Sequence, residues 1–138
     1  MQFPELPAIP HPLQFKSVTF TGLEPGPKFI VLGAVHGNEV SGSKAILKMI
    51  QEFEAGDRLL QNGQVTFVPI TNPLAYNRKQ RNGDRNLNRN LTPTDNPKDF
   101  EDHVANWLCP LLAAHDVLLD IHSFQKGDVP FALFGPKN

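Results

Sequence analysis

His36-Gly37-Asn38-Glu39 and Asp120-Ile121-His122-Ser123 each stand where an apolar run ends, and together they carry two imidazoles and a carboxylate. Those three groups, presented at strand ends, are the ligand set of a catalytic zinc site with one position left open. His36 follows the run Lys28 to Ala34, and His122 closes the run that begins at Asp116. In open α/β sheets ligands gather outside the carboxyl ends of the strands, so two neighbouring parallel strands would bring both imidazoles to one rim. Glu39, three residues after His36, is expected in the first turn of a following helix, facing the same way. Gly37 lets the backbone turn tightly between them. Asp120 is either a partner that orients an imidazole or a strand residue satisfied elsewhere.

A second cluster lies between these two. From Tyr76 to Asn90, Arg78, Lys79, Arg81, Arg85 and Arg89 are opposed only by Asp84, a local balance of +4 that leaves −5 for the rest of a chain of net charge −1. Guanidinium is a planar fork that binds carboxylates bidentately, and asparagine adds a directional donor. Such a local excess suits a small anionic partner. The overall charge argues against a nucleic-acid or membrane-surface binder, and the basic loop lacks the interleaved aromatics of a single-strand binder beyond Tyr76.

The elements that must position these groups follow from periodicity. Leu13, Phe15, Val18 and Phe20 alternate imperfectly as in a half-buried strand, and Glu24-Pro25-Gly26-Pro27 is turn chemistry. Lys28 to Ala34 is a nearly continuous apolar run, expected of a strand covered on both faces. Ile46, Met49, Ile50 and Phe53 mark a helix from Val40 to about Phe53, with Gly56 as its stop. Gln64 to Ile70 is a third strand, Pro69 marking an edge or an end. Residues 71 to 98 show neither period, and so long a connection in a compact domain is usually functional or disordered. A second helix runs from Asp99, with Phe100, Val104, Trp107, Leu108, Leu111 and Leu112 on one stripe and acids in its first turn. Asp116 to His122 is a fourth strand and Pro130 to Phe134 a short fifth. The order predicts one α/β domain over residues 1–138, helices layered around a mixed, largely parallel sheet, with residues 1–12 as an extended proline-rich arm.

Cys109 is the one cysteine, which excludes an internal disulfide and fits a reducing compartment. It is read as a small buried hydrophobe. No basic segment followed by an apolar one opens the chain, and no apolar run reaches the ~18 residues needed to span a bilayer. A cytoplasmic setting is expected. His11, His103 and His115 are read as non-ligands.

His36-Gly37-Asn38-Glu39, Asn86-Leu87-Asn88-Arg89 and Asp120-Ile121-His122-Ser123 resemble, in order, the three signature blocks of the succinylglutamate desuccinylase/aspartoacylase family. That family is a branch of the carboxypeptidase A-like zinc hydrolases, and the match covers the chain from about Lys28 onward. The resemblance implies one zinc ion per chain, bound by His36, Glu39 and His122. It implies a carboxylate grip by Asn88 and Arg89, and Arg81 polarising the scissile carbonyl and steadying the oxyanion. The reaction would be hydrolysis of the amide bond of a small acidic N-acyl amino acid. Asn86 departs from the pattern, since an acid is frequent there.

In the family the general base is a glutamate well beyond the third zinc ligand. Sixteen residues follow His122 here, none a glutamate and Asp128 the sole acid. The resemblance therefore implies a carboxypeptidase-like domain incomplete at its C-terminus, a truncated piece that binds zinc but is catalytically weak or dead. A second copy could cover the sheet edge left open, making a homo-oligomer. The alternatives are a zinc carboxypeptidase-like peptidase and a non-catalytic module that binds zinc and carboxylates.

Overall fold

The computed structural model describes residues 2–8, 13–123 and 129–135. Four strands and three helices follow in the order β1 (Val18–Thr21), β2 (Glu24–Leu32), α1 (Ser41–Glu54), β3 (Asn62–Val68), α2 (Pro73–Arg78), α3 (Phe100–Ala113) and β4 (Val117–Asp120). The strands form one sheet in the order β1-β3-β2-β4. β1 runs antiparallel to β3, while β3 and β4 flank β2 in parallel. The sheet is mixed and largely parallel, as the alternation of strand and helix patterns predicts.

Alternating side chains along the strands feed two cores. Ile30, Leu32 and Val68 pack with Val104 and Leu108 of α3 on one face. Phe67, with Val31 and Val65 beside it, packs with Ile46 and Ile50 of α1 on the other. The period of two sends alternate residues to opposite layers, so α1 and α3 cover opposite faces. Phe20, Phe53 and Phe67 form an aromatic cluster on the α1 side, with Phe20 and Phe53 stacked at 4.7 Å. Phe15 stacks on Trp107 at 5.2 Å on the α3 side.

Several boundaries differ from the sequence reading, each for a physical reason. Glu24 to Pro27 is the start of β2 rather than a turn, and the register against β3 shifts between Glu24 and Lys28. Prolines are tolerated where the ladder is broken by such an irregularity. Pro69 ends β3, which is an interior strand and not an edge. The apolar run of β2 is buried only towards its carboxyl end, and Phe29 is 41% exposed. Residues 130–134 are not in a strand. β4 is an edge strand, and Val117, Leu118 and Leu119 are all exposed.

The span from residue 71 is not wholly irregular. Asn72 caps the short helix α2, its side chain accepting the Ala75 amide, with Pro73 in the first turn. α3 begins on Asp99, whose carboxylate accepts the Asp102 amide. Among the described residues no helix is long and apolar enough to cross a membrane.

Leu108 is 1% exposed in the α3-side core and Leu59 is 85% exposed. Leu108→Ala is expected to lower unfolding free energy by about 2–5 kcal/mol, and Leu59→Ala to change it by less than about 0.5 kcal/mol. Urea denaturation of the two variants measures the contrast.

Candidate metal centre

β2 ends at Leu32, and the chain leaves the sheet through Ala34, which holds a left-handed backbone (φ 47°) although fully buried. A non-glycine residue in that region is uncommon. The Thr71 and Asn72 amides donate to the Gly33 and Ala34 carbonyls and fix this exit. A turn follows, closed by the Glu39 amide on the His36 carbonyl at 3.1 Å. This turn, and not the first turn of a helix, brings His36 and Glu39 together, because α1 starts only at Ser41. Gly37 is sterically required: a Cβ there would lie 2.0 Å from the Ala75 carbonyl carbon of α2.

His122 arrives from the neighbouring strand. Leu32 pairs with Asp120, and the ladder runs one step further as the Ile121 amide donates to the Leu32 carbonyl. The strand-end placement expected from sequence therefore has its cause in parallel pairing of β2 with β4. His36, Glu39 and His122 converge, one ligand atom from each lying within 4.8 Å of the others. Among the described residues no other His, Cys, Asp or Glu joins the group.

The hydrogen bonds assign a proton to each outer ring nitrogen. His36 Nε2 lies 3.2 Å from Asn86 Oδ1, and an amide oxygen only accepts, so that nitrogen carries the proton. His122 Nε2 donates in the same way to Asp120 Oδ2 at 2.8 Å. Both Nδ1 atoms face inward, 3.2 Å apart, with Glu39 Oε1 2.9 Å from one and Oε2 3.0 Å from the other. Lone pairs and a carboxylate crowded together call for a cation or a proton among them. Two nitrogens about 2.0–2.1 Å from one tetrahedral zinc lie roughly 3.3 Å apart, so the donor set and its spacing fit that ion.

Glu39 is the charged member. Burial pushes its carboxyl up, but the Ser123 amide, His122 and His36 outweigh burial and hold it below its ordinary value. Burial dominates at His36 and pushes its pKa down despite Glu39. At His122 the Asp120 carboxylate dominates and raises the pKa against burial. Of the two readings of Asp120, the structure shows the imidazole partner. The roles of Asn86 and of the Ser123 amide were not visible in sequence, since each depends on a contact across more than forty residues.

Arg81 is brought to the centre. Its Nη1 donates to Glu39 Oε1 at 2.7 Å, its carbonyl accepts the Gly37 amide, and its side chain stays 54% exposed. Asn88 and Arg89 are exposed, the Asn88 amide held on Asn86 Oδ1 and the Arg89 guanidinium donating to the Asn88 carbonyl. The loop's positive charge is less available than the sequence suggests. Arg78 is spent on Asp84 and the Gly83 carbonyl, and Arg85 on Asp99, Asp102 and the Arg89 carbonyl. Asp99 and Asp102 lie outside the 76–90 window, which is why a local charge count misses them.

Of the remaining histidines, His115 bonds the Leu111 carbonyl and Thr66 and stands apart from the cluster. His11 and Asp128 lie outside the described residues. Cys109 is half-buried, its thiol directed at the Leu91 carbonyl, and burial pushes its pKa up.

The loop is held from below by Glu101, which is fully buried. Its carboxylate accepts the Gly83, Asp84 and Arg85 amides and the Asn72 side chain, at 2.8–3.2 Å. Leu87, 2% exposed, pins the following residues into the α3-side core. Each buried donor left without a partner costs about 1–3 kcal/mol. Glu101→Ala is therefore expected to destabilise the protein by more than Leu108→Ala does, with Glu101→Gln intermediate, in the same denaturation experiment. Gly37→Ala is expected to disrupt the centre through its backbone clash and to lower the melting temperature.

Residues 25–132 match the succinylglutamate desuccinylase/aspartoacylase catalytic domain. The chain is 33% identical over 101 residues to a probable aspartoacylase of Prochlorococcus marinus, covering 70% of this chain and 33% of that protein. It is 31% identical over 113 residues to the N-alpha-acetyl-L-2,4-diaminobutyric acid deacetylase of Halomonas elongata, covering 78% and 32%. The crystal structure of an aspartoacylase family protein from Mesorhizobium loti superposes with a TM-score of 0.67 at 27% identity, over 78% of this chain and 34% of that one. The chain thus spans about a third of the length of the curated relatives it matches. By the extent of the domain match, the chain belongs to the succinylglutamate desuccinylase/aspartoacylase family.

Proposed function

We propose that this chain forms the zinc- and carboxylate-binding part of a hydrolase that cleaves the amide bond of a small acidic N-acyl amino acid. The observation that carries the proposal is the convergence of His36 Nδ1, His122 Nδ1 and the Glu39 carboxylate on one point. Family membership and the relatives' names, a probable aspartoacylase and an N-acetyl-diaminobutyrate deacetylase, support an N-acyl amino acid as substrate, and the aspartoacylase name supports an acidic one.

His36, Glu39 and His122 would hold the zinc ion. When bound, the ion supplies Lewis acidity, making water nucleophilic near neutral pH and polarising a carbonyl. The rest falls to the chain's own groups. Asn86 and Asp120 hold the imidazoles with Nδ1 inward. The half-exposed Arg81 guanidinium stands at the centre, where it can donate to an oxygen that gains negative charge as the carbonyl is attacked. Arg89 and Asn88, exposed on the same loop, present donors for a substrate carboxylate.

A proton must also leave the attacking water. Glu39 is taken up as a ligand and Asp120 by His122, so neither serves as general base. Among the described residues no third acid joins the group. The general base is therefore proposed to come from outside this group.

Equilibrium dialysis followed by metal analysis tests the binding claim. One zinc per chain is expected, with stoichiometric uptake lost in His36→Ala and in His122→Ala; uptake undiminished in both variants would refute the ligand assignment. The substrate claim is tested on N-succinylglutamate, N-acetylaspartate and short peptides with a free carboxyl end, using an active protein that contains this chain. Hydrolysis of the N-acyl amino acids is expected, with kcat lowered by about 10²–10³ in Arg81→Ala and KM chiefly raised in Arg89→Ala. Preference for the peptides would favour a peptidase instead.

A further inference from the structure

We infer that Asn86 is a positioning residue that sets how tightly the centre holds its metal, and that as a neutral amide it keeps the His36 side the weaker half. The inference rests on the zinc reading above. Each imidazole is backed by one oxygen, but the two oxygens differ. His122 Nε2 donates to the Asp120 carboxylate at 2.8 Å, whereas His36 Nε2 donates to the Asn86 amide at 3.2 Å. A carboxylate behind a ligating imidazole both fixes the ring and makes its free nitrogen a stronger donor to metal. An amide oxygen fixes the ring but carries no net charge, so it adds less to the basicity of Nδ1.

One further contact sharpens the asymmetry. Asn86 Oδ1 is shared, because the Asn88 amide donates to the same oxygen at 3.0 Å. The segment is also held in place independently of the amide: Leu87 is buried in the α3-side core, and the Arg89 amide donates to the Asn86 carbonyl at 3.1 Å. Aspartate has the same shape as asparagine and accepts both N–H groups. The change Asn86→Asp therefore alters charge at a fixed position.

The test measures zinc dissociation constants by competition with a chromophoric chelator for wild type, Asn86→Asp and Asn86→Ala. Asn86→Asp is expected to bind zinc about tenfold or more tightly, and Asn86→Ala about tenfold or more weakly. Imidazole ¹⁵N spectra of the metal-free proteins provide a readout that does not depend on the ion. His36 is expected to carry its proton on Nε2 in wild type and in Asn86→Asp, and to lose that preference in Asn86→Ala. A wild type that binds zinc while Asn86→Asp binds it no more tightly overturns this inference alone. A wild type that takes up no zinc removes the zinc reading, and this inference with it.

Discussion

The site depends above all on the register in which β4 lies beside β2. With Leu32 opposite Asp120, the two strands end level, and the residues just past them meet at one rim. A slip of one residue would turn Asp120 and His122 to the other face of the sheet. The register is fixed at both ends of the pair. The Asp116 amide donates to the Lys28 carbonyl while the Asp116 carboxylate accepts the Lys28 amide, and beyond Asp120 the Ile121 amide donates to the Leu32 carbonyl. The central strand β2 is also where crossovers on opposite faces of the sheet diverge. Open α/β sheets place their ligand crevices at such points.

The second constraint is the cage that holds the irregular stretch after α2. A loop this long gains its shape from inward contacts rather than from regular backbone bonding. Glu101 gathers three consecutive amides, Arg85 bridges to two acids at the start of α3, and Leu87 occupies the core. Because the Arg81 carbonyl also accepts the Gly37 amide, the loop is stitched directly to the turn that carries His36 and Glu39. Two basic residues are used to build the loop, and Arg81 reaches Glu39 itself. The positive charge is thus divided between architecture and site.

Much of this was legible in the sequence where a single element buries a regular face. The stripe of α1, the stripe of α3 with its acidic first turn and the central apolar runs of β2, β3 and β4 all correspond to observed elements. Legibility failed where structure depends on distant partners. The Glu24–Pro27 segment has the composition of a turn but is drawn into β2 by pairing with β3. The six-residue α2 is too short for a periodic signal, though Asn72-Pro73 is a capping pair. Pro130 to Phe134 has strand composition but is not in a strand. At the candidate site, the motif residues His36, Glu39 and His122 could be named from spacing, and the structure brings them together. Asn86 and Ser123 stood in motifs without a legible role and Glu101 stood in none, because each acts through a bond to a residue remote in the chain.

A single metal ion is proposed at the meeting of two Nδ1 atoms and one carboxylate. Anomalous scattering recorded on either side of the zinc absorption edge, from crystals of the zinc-loaded protein, tests it most directly. One peak is expected, within bonding distance of His36 Nδ1, His122 Nδ1 and a Glu39 oxygen, with Asn86 and Asp120 still on the two Nε2 atoms. A peak elsewhere in the molecule, or ligation through Nε2, would contradict it.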